Sequence, residues 1–137
     1  MDDSIDDLLE VLSLSNKGET RFVGRGSGHE GYGLFGGHQL AQSIVSAYRS
    51  VSAERRLHSV HGFFLRGGDG KKNINYDVAN IRDGRAFCQR RVTASQDDKQ
   101  IFDLTASFHT PEKGPGVIAP TAPRGAEPPE GLPTFDA

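Results

Sequence analysis

From Gln100 to His109 the chain alternates: Phe102, Leu104, Ala106 and Phe108 fall on one side, Ile101, Asp103, Thr105 and Ser107 on the other. A period of two predicts a strand with one buried face. Three strand-like runs precede it. Leu57–Arg66 carries Val60, Phe63, Phe64 and Leu65, Ile74–Ile81 alternates Ile74, Tyr76 and Val78, and Ala86–Ser95 reads AFCQRRVTAS. Earlier in the chain the period changes. From about Gly37, Leu40, Ala41, Ile44, Val45, Ala47, Tyr48 and Val51 recur with helical spacing, and Ser43 and Ser46 fill much of the remainder. Apolar or small side chains nearly all round predict a buried helix. Nearer the N-terminus, Ser4 can cap a short helix through Leu12. Asp6 and Asp7 suit its first turn, and Ile5, Leu8, Leu9 and Leu12 share one face. A short strand is expected at about Thr20–Gly24.

Turn chemistry orders these elements. Asp83–Gly84 between the second and third long runs predicts a tight hairpin. The segment QDDKQ turns the third run into the fourth. Consecutive hairpins make an antiparallel meander, and one buried helix ahead of it gives an α+β fold with the sheet wrapped around that helix. All seven prolines lie at or after Pro111, and the tail beyond it has few large apolar residues. The expected division is one domain over 1–110 and a Pro-rich linker or tail over 111–137.

Composition narrows the function. The 137 residues carry a net charge of -2 with His neutral, which gives no global signal for nucleic acid or an anionic membrane. No apolar run reaches membrane-spanning length. The acidic start MDDSIDDLLE is unlike a signal or transit peptide, and the single cysteine, Cys88, leaves no internal disulfide framework. A reducing, cytoplasmic location is expected. Seven glycines crowd into Gly24–Gly37, just ahead of the predicted helix. They serve a tight turn, or a backbone that something must approach closely.

Four segments together, LFGGHQLAQSIVSAYRSV, LHSVHGFFLRGGD, NINYDVANIRDGRAFCQRRVTASQ and QIFDLTASF, resemble the first half of the acyl-CoA thioesterase II family. The resemblance covers about residues 5 to 112, and the tail resembles the family's linker. It implies a hot-dog fold, two such domains per chain in the family, and hydrolysis of medium- or long-chain acyl-CoA without a cofactor. It also places the family's charge-relay aspartate, hydroxyl residue and water-positioning glutamine in a second half that this sequence does not contain. By register between the halves, those positions correspond here to about Gln42, His61 and Ala106. Two positions depart from the family: His38 stands where Gln is usual, and Gly67 where Pro is usual.

The resemblance gives the residues roles to be weighed against plainer ones. Gly36 and Gly37 lead into a helix whose first N–H groups lack internal partners and carry partial positive charge. A thioester oxygen held there would find ready donors. The plainer reading is a turn and close helix–sheet packing. The substrate-binding set is then Gly36, Gly37, His38 and Arg66, the last as one of several arginines (Arg66, Arg82, Arg85, Arg90, Arg91) suited to coenzyme A phosphates or simply to a solvated face. Gln42 can orient a water but not take its proton, or it is a polar residue at a seam. His58, at a strand start, is a candidate general base, or a hydrogen-bonded strand histidine. Strand alternation puts His58 and Val60 on one side and Ser59 and His61 on the other. His29, Glu30 and His38 match no metal-ligand spacing, so no metal is expected. Cys88 reads as a small buried residue.

Three functions compete. The first is a thioesterase that attacks acyl-CoA with water. The second is a catalytically incomplete half that binds acyl-CoA or dimerises, and needs a second hot-dog chain. The third, a hot-dog dehydratase or hydratase, lacks its compact Asp-and-His arrangement. A homodimer, or pairing with a second hot-dog domain, would close the open sheet edge.

Overall fold

A computed structural model describes residues 5–27, 33–114, 116, 119–125 and 128–133. The elements run α1 (Ile5–Val11), β1 (Ser15–Asn16), β2 (Arg21–Gly24), α2 (Gly36–Tyr48), β3 (Arg56–Phe64), β4 (Ile74–Asp83), β5 (Phe87–Gln96) and β6 (Lys99–His109). A single 3-10 turn, Pro129–Gly131, follows in the Pro-rich tail. Ser4, the expected cap of α1, lies outside the described residues. Six strands form one antiparallel sheet in the order β1-β2-β4-β5-β6-β3. The fold is the expected α+β arrangement of one sheet and one principal helix. Among the described residues no helix is long and apolar enough to cross a membrane.

The meander β4-β5-β6 is the centre of the sheet. Alternation on β6 buries Phe102, Leu104, Ala106 and Phe108, and register aligns them with Ala94, Val92, Arg90 and Cys88 of β5. Ile74, Tyr76 and Val78 of β4 continue this helix-facing layer. Tyr48 closes the far end of α2, its ring edge-on to Phe108 at 5.0 Å and its hydroxyl accepting from the Leu57 N–H at 3.0 Å.

The two hairpin signals exchange roles. Gln96 pairs with Lys99 across Asp97 and Asp98, both with positive φ, so this is the tight two-residue turn. Aspartate tolerates the left-handed region better than most residues. The Asp83–Gly84 connection is wider: Asp83 pairs with Cys88, the Gly84 N–H bonds to the Phe87 carbonyl at 2.8 Å, and Gly84 keeps a negative-φ backbone. Arg55 holds this turn from outside through the carbonyls of Gly84, Arg85 and Ala86.

Helix α2 is not buried all round within this chain. Its sheet-facing side is polar or small, with His38, Gln39, Gln42, Ser43, Ser46 and Ala47 buried. Leu40, Ala41, Ile44 and Val45 are only partly covered, and Tyr48 is exposed. The sheet covers one side of the helix. Helix α1 covers little else: Ile5, Leu8 and Leu9 are themselves exposed.

Arg90 is the one arginine inside. It points from β5 toward the helix with 2 % of its surface exposed. Nε bonds to Ser50 Oγ, Nη1 to the Arg82 and Gln89 carbonyls, and Nη2 to the Ser50 carbonyl and Asp83 Oδ1. All five guanidinium donors are used, as a buried charge requires. Arg90 therefore leaves the set of candidate phosphate-binding arginines. Arg91, on the opposite face of the same strand, is paired with Asp103.

Gly24 lies against the Gln42 amide. A Cβ there would come within 2.2 Å of Oε1. Because the amide is fixed by three hydrogen bonds, Gly24→Ala is expected to cost about 1–3 kcal/mol, the range for an overpacked core. Urea unfolding checks this, and an unchanged midpoint would show that the amide moves freely.

Candidate functional site

The N-terminus of α2 opens into a groove. Phe35 is the N-cap residue in an extended conformation, and its side chain makes no capping bond. The first backbone bonds into the helix run from the His38 and Gln39 N–H groups to the Phe35 carbonyl. The N–H groups of Gly36 and Gly37 lie ahead of them, at the positive end of the helix dipole. The Phe64 ring covers Gly36 and the Phe35 ring covers Gly37. An added Cβ would meet those rings at 2.9 and 2.5 Å. Both rings are exposed, at 61 % and 74 %, so the terminus is flanked by aromatic faces left largely uncovered.

An open groove of about 430 Å³ runs from this terminus, lined by Leu34, Gly36, Gln39, Phe64, Leu65, Arg66 and Gly67. Its walls come from the start of α2 and from the segment leaving β3. Two bonds fix that segment's path: the Leu65 N–H to the Ile101 carbonyl at 2.9 Å, and the Leu34 N–H to the Gly68 carbonyl at 2.9 Å. Arg66 Nη1 donates to the Gln100 carbonyl at 2.7 Å, which sets the guanidinium at the groove while most of it stays in solvent. The fold thus brings Gly36 and Arg66 together, with Gly37 beside them.

The other predicted residues are placed differently. The His38 ring nitrogen Nε2 lies 2.8 Å from the Arg25 carbonyl. A carbonyl only accepts, so Nε2 carries the hydrogen. Gln42, one turn further and fully buried, donates from Nε2 to the carbonyls of Val11 and Arg25 and accepts at Oε1 from the Tyr76 hydroxyl at 2.8 Å. Both amide hydrogens are committed within the chain. Burial pushes the Tyr76 phenol far up, so it stays a donor.

His58 is not brought to the groove. The β3–β6 register slips between Leu57 and Ser59, which makes His58 a bulge residue. Its Nε2 lies 2.9 Å from Ser107 Oγ, and its ring meets those of Phe87 and His109 edge-on at 5.6 and 5.4 Å. Ser107 and His109 belong to the outer face of β6, so the bulge turns His58 to the side away from α2. Strand alternation had paired it with Val60; the extra residue overturns that. Along β3 it also stands roughly 20 Å from Phe64 at the groove, at about 3.3 Å per residue. Ser59 and His61, opposite Ser107 and Thr105, share that outer face.

Cys88 is buried with a free thiol. Among the described residues no three His, Cys, Asp or Glu side chains converge to hold a metal ion. His29 and Glu30 lie outside the described residues. Gln39, Leu34, Phe64 and Leu65 line the groove but were not singled out from sequence. Gln39 reads there as one more polar residue in a helix, and only its inward direction distinguishes it.

The domain is a sheet packed on one helix, and the first N–H groups at that helix's glycine-rich start have no hydrogen-bond partner among the described residues, beside a largely apolar groove. Its shape matches, at TM-score 0.74 and 21 % identity, a hot-dog protein of unknown function from Alicyclobacillus acidocaldarius. The family model described as acyl-CoA thioesterase N-terminal domain matches residues 25–109, and the chain belongs to that family. It is 37 % identical over 114 residues to Acyl-CoA thioesterase 2 of Haemophilus influenzae, covering 83 % of this chain and 40 % of that protein. A tesB protein of Mycobacterium avium subs paratuberculosis superposes at TM-score 0.77 with 39 % identity, over 94 % of this chain and 50 % of that one. The chain thus spans half or less of the length of these relatives.

Burial lowers the His38 pKa below the ordinary histidine value of about 6.5, although its bond to the Arg25 carbonyl acts the other way. The folded state binds this proton less readily than the unfolded state, so stability rises with pH through the window just below 6.5 and is lost on acidification. His38→Gln keeps a donor for the Arg25 carbonyl and removes the titration. Urea unfolding between pH 5 and 7 should show a shallower acid-side fall in the variant. Identical slopes would contradict the burial of a neutral ring.

Proposed function

We propose that this chain is an acyl-CoA thioesterase domain that binds the thioester at the N-terminus of α2 and hydrolyses it with water when paired with a second hot-dog domain. One observation carries the reading: the Gly36 N–H, with that of Gly37 beside it, has no hydrogen-bond partner among the described residues, and Gly36 lines a largely apolar groove with Arg66 at its rim. The thioester carbonyl takes the N–H groups, and negative charge developing on its oxygen is stabilised there. Leu34, Phe64 and Leu65 receive the start of the acyl chain. Arg66 faces the phosphates of coenzyme A. Gln42 and His38 hold the helix in place, and within one chain His58 takes no step.

The groove residues include no carboxylate and no histidine. Among the described residues, a water held in it finds no base. That supports an incomplete site, finished by a second domain. The unpaired edge of β3 supports the same reading. All of Arg56–Phe64 except Leu57 is exposed, with Phe63 and Phe64 among the uncovered aromatics. A nine-residue open edge with apolar side chains is a template for another strand. The partner is a second hot-dog domain or a second copy of this chain, and residues 111–137 serve as a linker. A reducing, cytoplasmic compartment suits the buried free thiol of Cys88.

Titration calorimetry with decanoyl-CoA, together with thiol release counted against Cys88 as background, tests the reading. The folded chain should bind the thioester and release little thiol. Gly37→Val, which puts a branched side chain where the Phe35 ring sits, should weaken binding about tenfold or more. Arg66→Ala should weaken it about threefold to tenfold, less so at high salt. Absence of binding by the folded chain would overturn the site. Rapid turnover by the chain as a monomer would overturn the need for a second domain.

A further inference from the structure

Gln39 presents a polar atom that the fold leaves unanswered. It sits on α2 one turn from Gly36, on the same side of the helix, and lines the groove with it. The side chain is 2 % exposed, and among the described residues its Oε1 has no hydrogen-bond partner. A buried amide oxygen without a donor is costly, and most proteins avoid it. One turn deeper, Ser43 Oγ is likewise buried and unpartnered. The two stand four residues apart on the buried, sheet-facing side of α2. The neighbouring polar positions are fully used: Ser46 Oγ bonds to the Ser43 carbonyl at 2.8 Å, and Gln42 makes its three bonds.

We infer that Gln39 is a positioning residue whose unpaired amide oxygen accepts a hydrogen bond from the bound thioester, so that the groove favours ligands with an N–H or O–H donor close to the reacting carbonyl. This rests on the proposed thioester site and adds a selectivity to it. An amide oxygen accepts and cannot donate, so the complementary ligand group is a donor. A site built to hydrogen-bond such a group rejects the analogue lacking it, because the oxygen then stays buried and unpaired. Two parts of an acyl-CoA carry such donors: an amide N–H of the thiol-bearing arm, and a hydroxyl on a hydroxylated acyl chain. Ser43 behind Gln39 can both donate and accept, so it suits a hydroxyl reaching further in.

Titration calorimetry on the full chain separates the sources. The probes are decanoyl-CoA, 3-hydroxydecanoyl-CoA, and the decanoyl thioester of N-acetylcysteamine with and without N-methylation of its amide. Gln39→Met keeps the length of the side chain and removes the acceptor, and its thermal midpoint should not fall, since an orphan polar atom is removed. If the arm amide is the donor, Gln39→Met weakens both CoA esters about tenfold alike, and N-methylation does the same to the unmodified chain. If the acyl hydroxyl is the donor, the unmodified chain prefers 3-hydroxydecanoyl-CoA about tenfold and Gln39→Met abolishes that preference. The ligand series on unmodified protein decides the matter even where the variant does not fold. Unchanged affinities throughout, with decanoyl-CoA still bound, would overturn the role of Gln39 alone. Failure of the unmodified chain to bind any of these thioesters would overturn the proposed site and this inference with it.

Discussion

One fully buried amide ties the parts of this domain together. Gln42 reaches the Val11 carbonyl at the end of α1, the Arg25 carbonyl just after β2, and the Tyr76 hydroxyl in the sheet. His38, one turn earlier, adds a second bond to the Arg25 carbonyl. Three segments distant in sequence are therefore fixed to the first two turns of α2. Losing any one partner leaves a buried donor or acceptor unpaired, at about 1–3 kcal/mol each. The same bonds set where the helix begins, and hence where the Gly36 and Gly37 N–H groups point. Site and fold share one fastening.

At the opposite end of the helix the fastening is ionic. Arg90 joins the turn after α2, through Ser50, to the β4–β5 hairpin, through Arg82 and Asp83. A guanidinium buried on a sheet face costs much unless every donor is met. Here each one is, and the result is a helix clamped at both ends onto the sheet. Between the clamps the contact is made by small residues, Ser43, Ser46 and Ala47, which let the helix approach β5 and β6. The polar residues of α2 face inward for this reason, and its larger apolar residues stay half-covered on the other side. That side, the exposed stripe of α1 and the open edge of β3 are surfaces a partner domain can use.

Much of the sheet was legible from the sequence because alternation is a local property. The buried row Phe102, Leu104, Ala106 and Phe108 follows from spacing alone, and so does the start of α2 at the paired glycines. Tertiary choices were less legible. Arg90 occupies a helix-facing position between Cys88 and Val92, so its alternation signalled burial, but its charge suggested the surface. Nothing local announced the bulge that turns His58 outward, since one extra residue inverts every later assignment of faces. The turn at Asp97–Asp98 took the left-handed geometry expected of Asp83–Gly84, where Arg55 supports a wider loop. Gln39 was invisible because its meaning lies in an amide oxygen that finds no partner among the described residues, and that is a property of the fold.

The central claim is that the backbone N–H groups at the start of α2 receive the thioester oxygen. Amide proton and nitrogen shifts of Gly36 and Gly37 in the folded chain test it, using two non-hydrolysable decanoyl-CoA analogues. One is a ketone that keeps the carbonyl, the other a thioether that lacks it. The account predicts that the ketone moves both glycine amide protons downfield, as new hydrogen bonds form, while the thioether leaves them near their free positions. Equal shifts with both analogues, or shifts confined to residues away from Gly36 and Gly37, would contradict it.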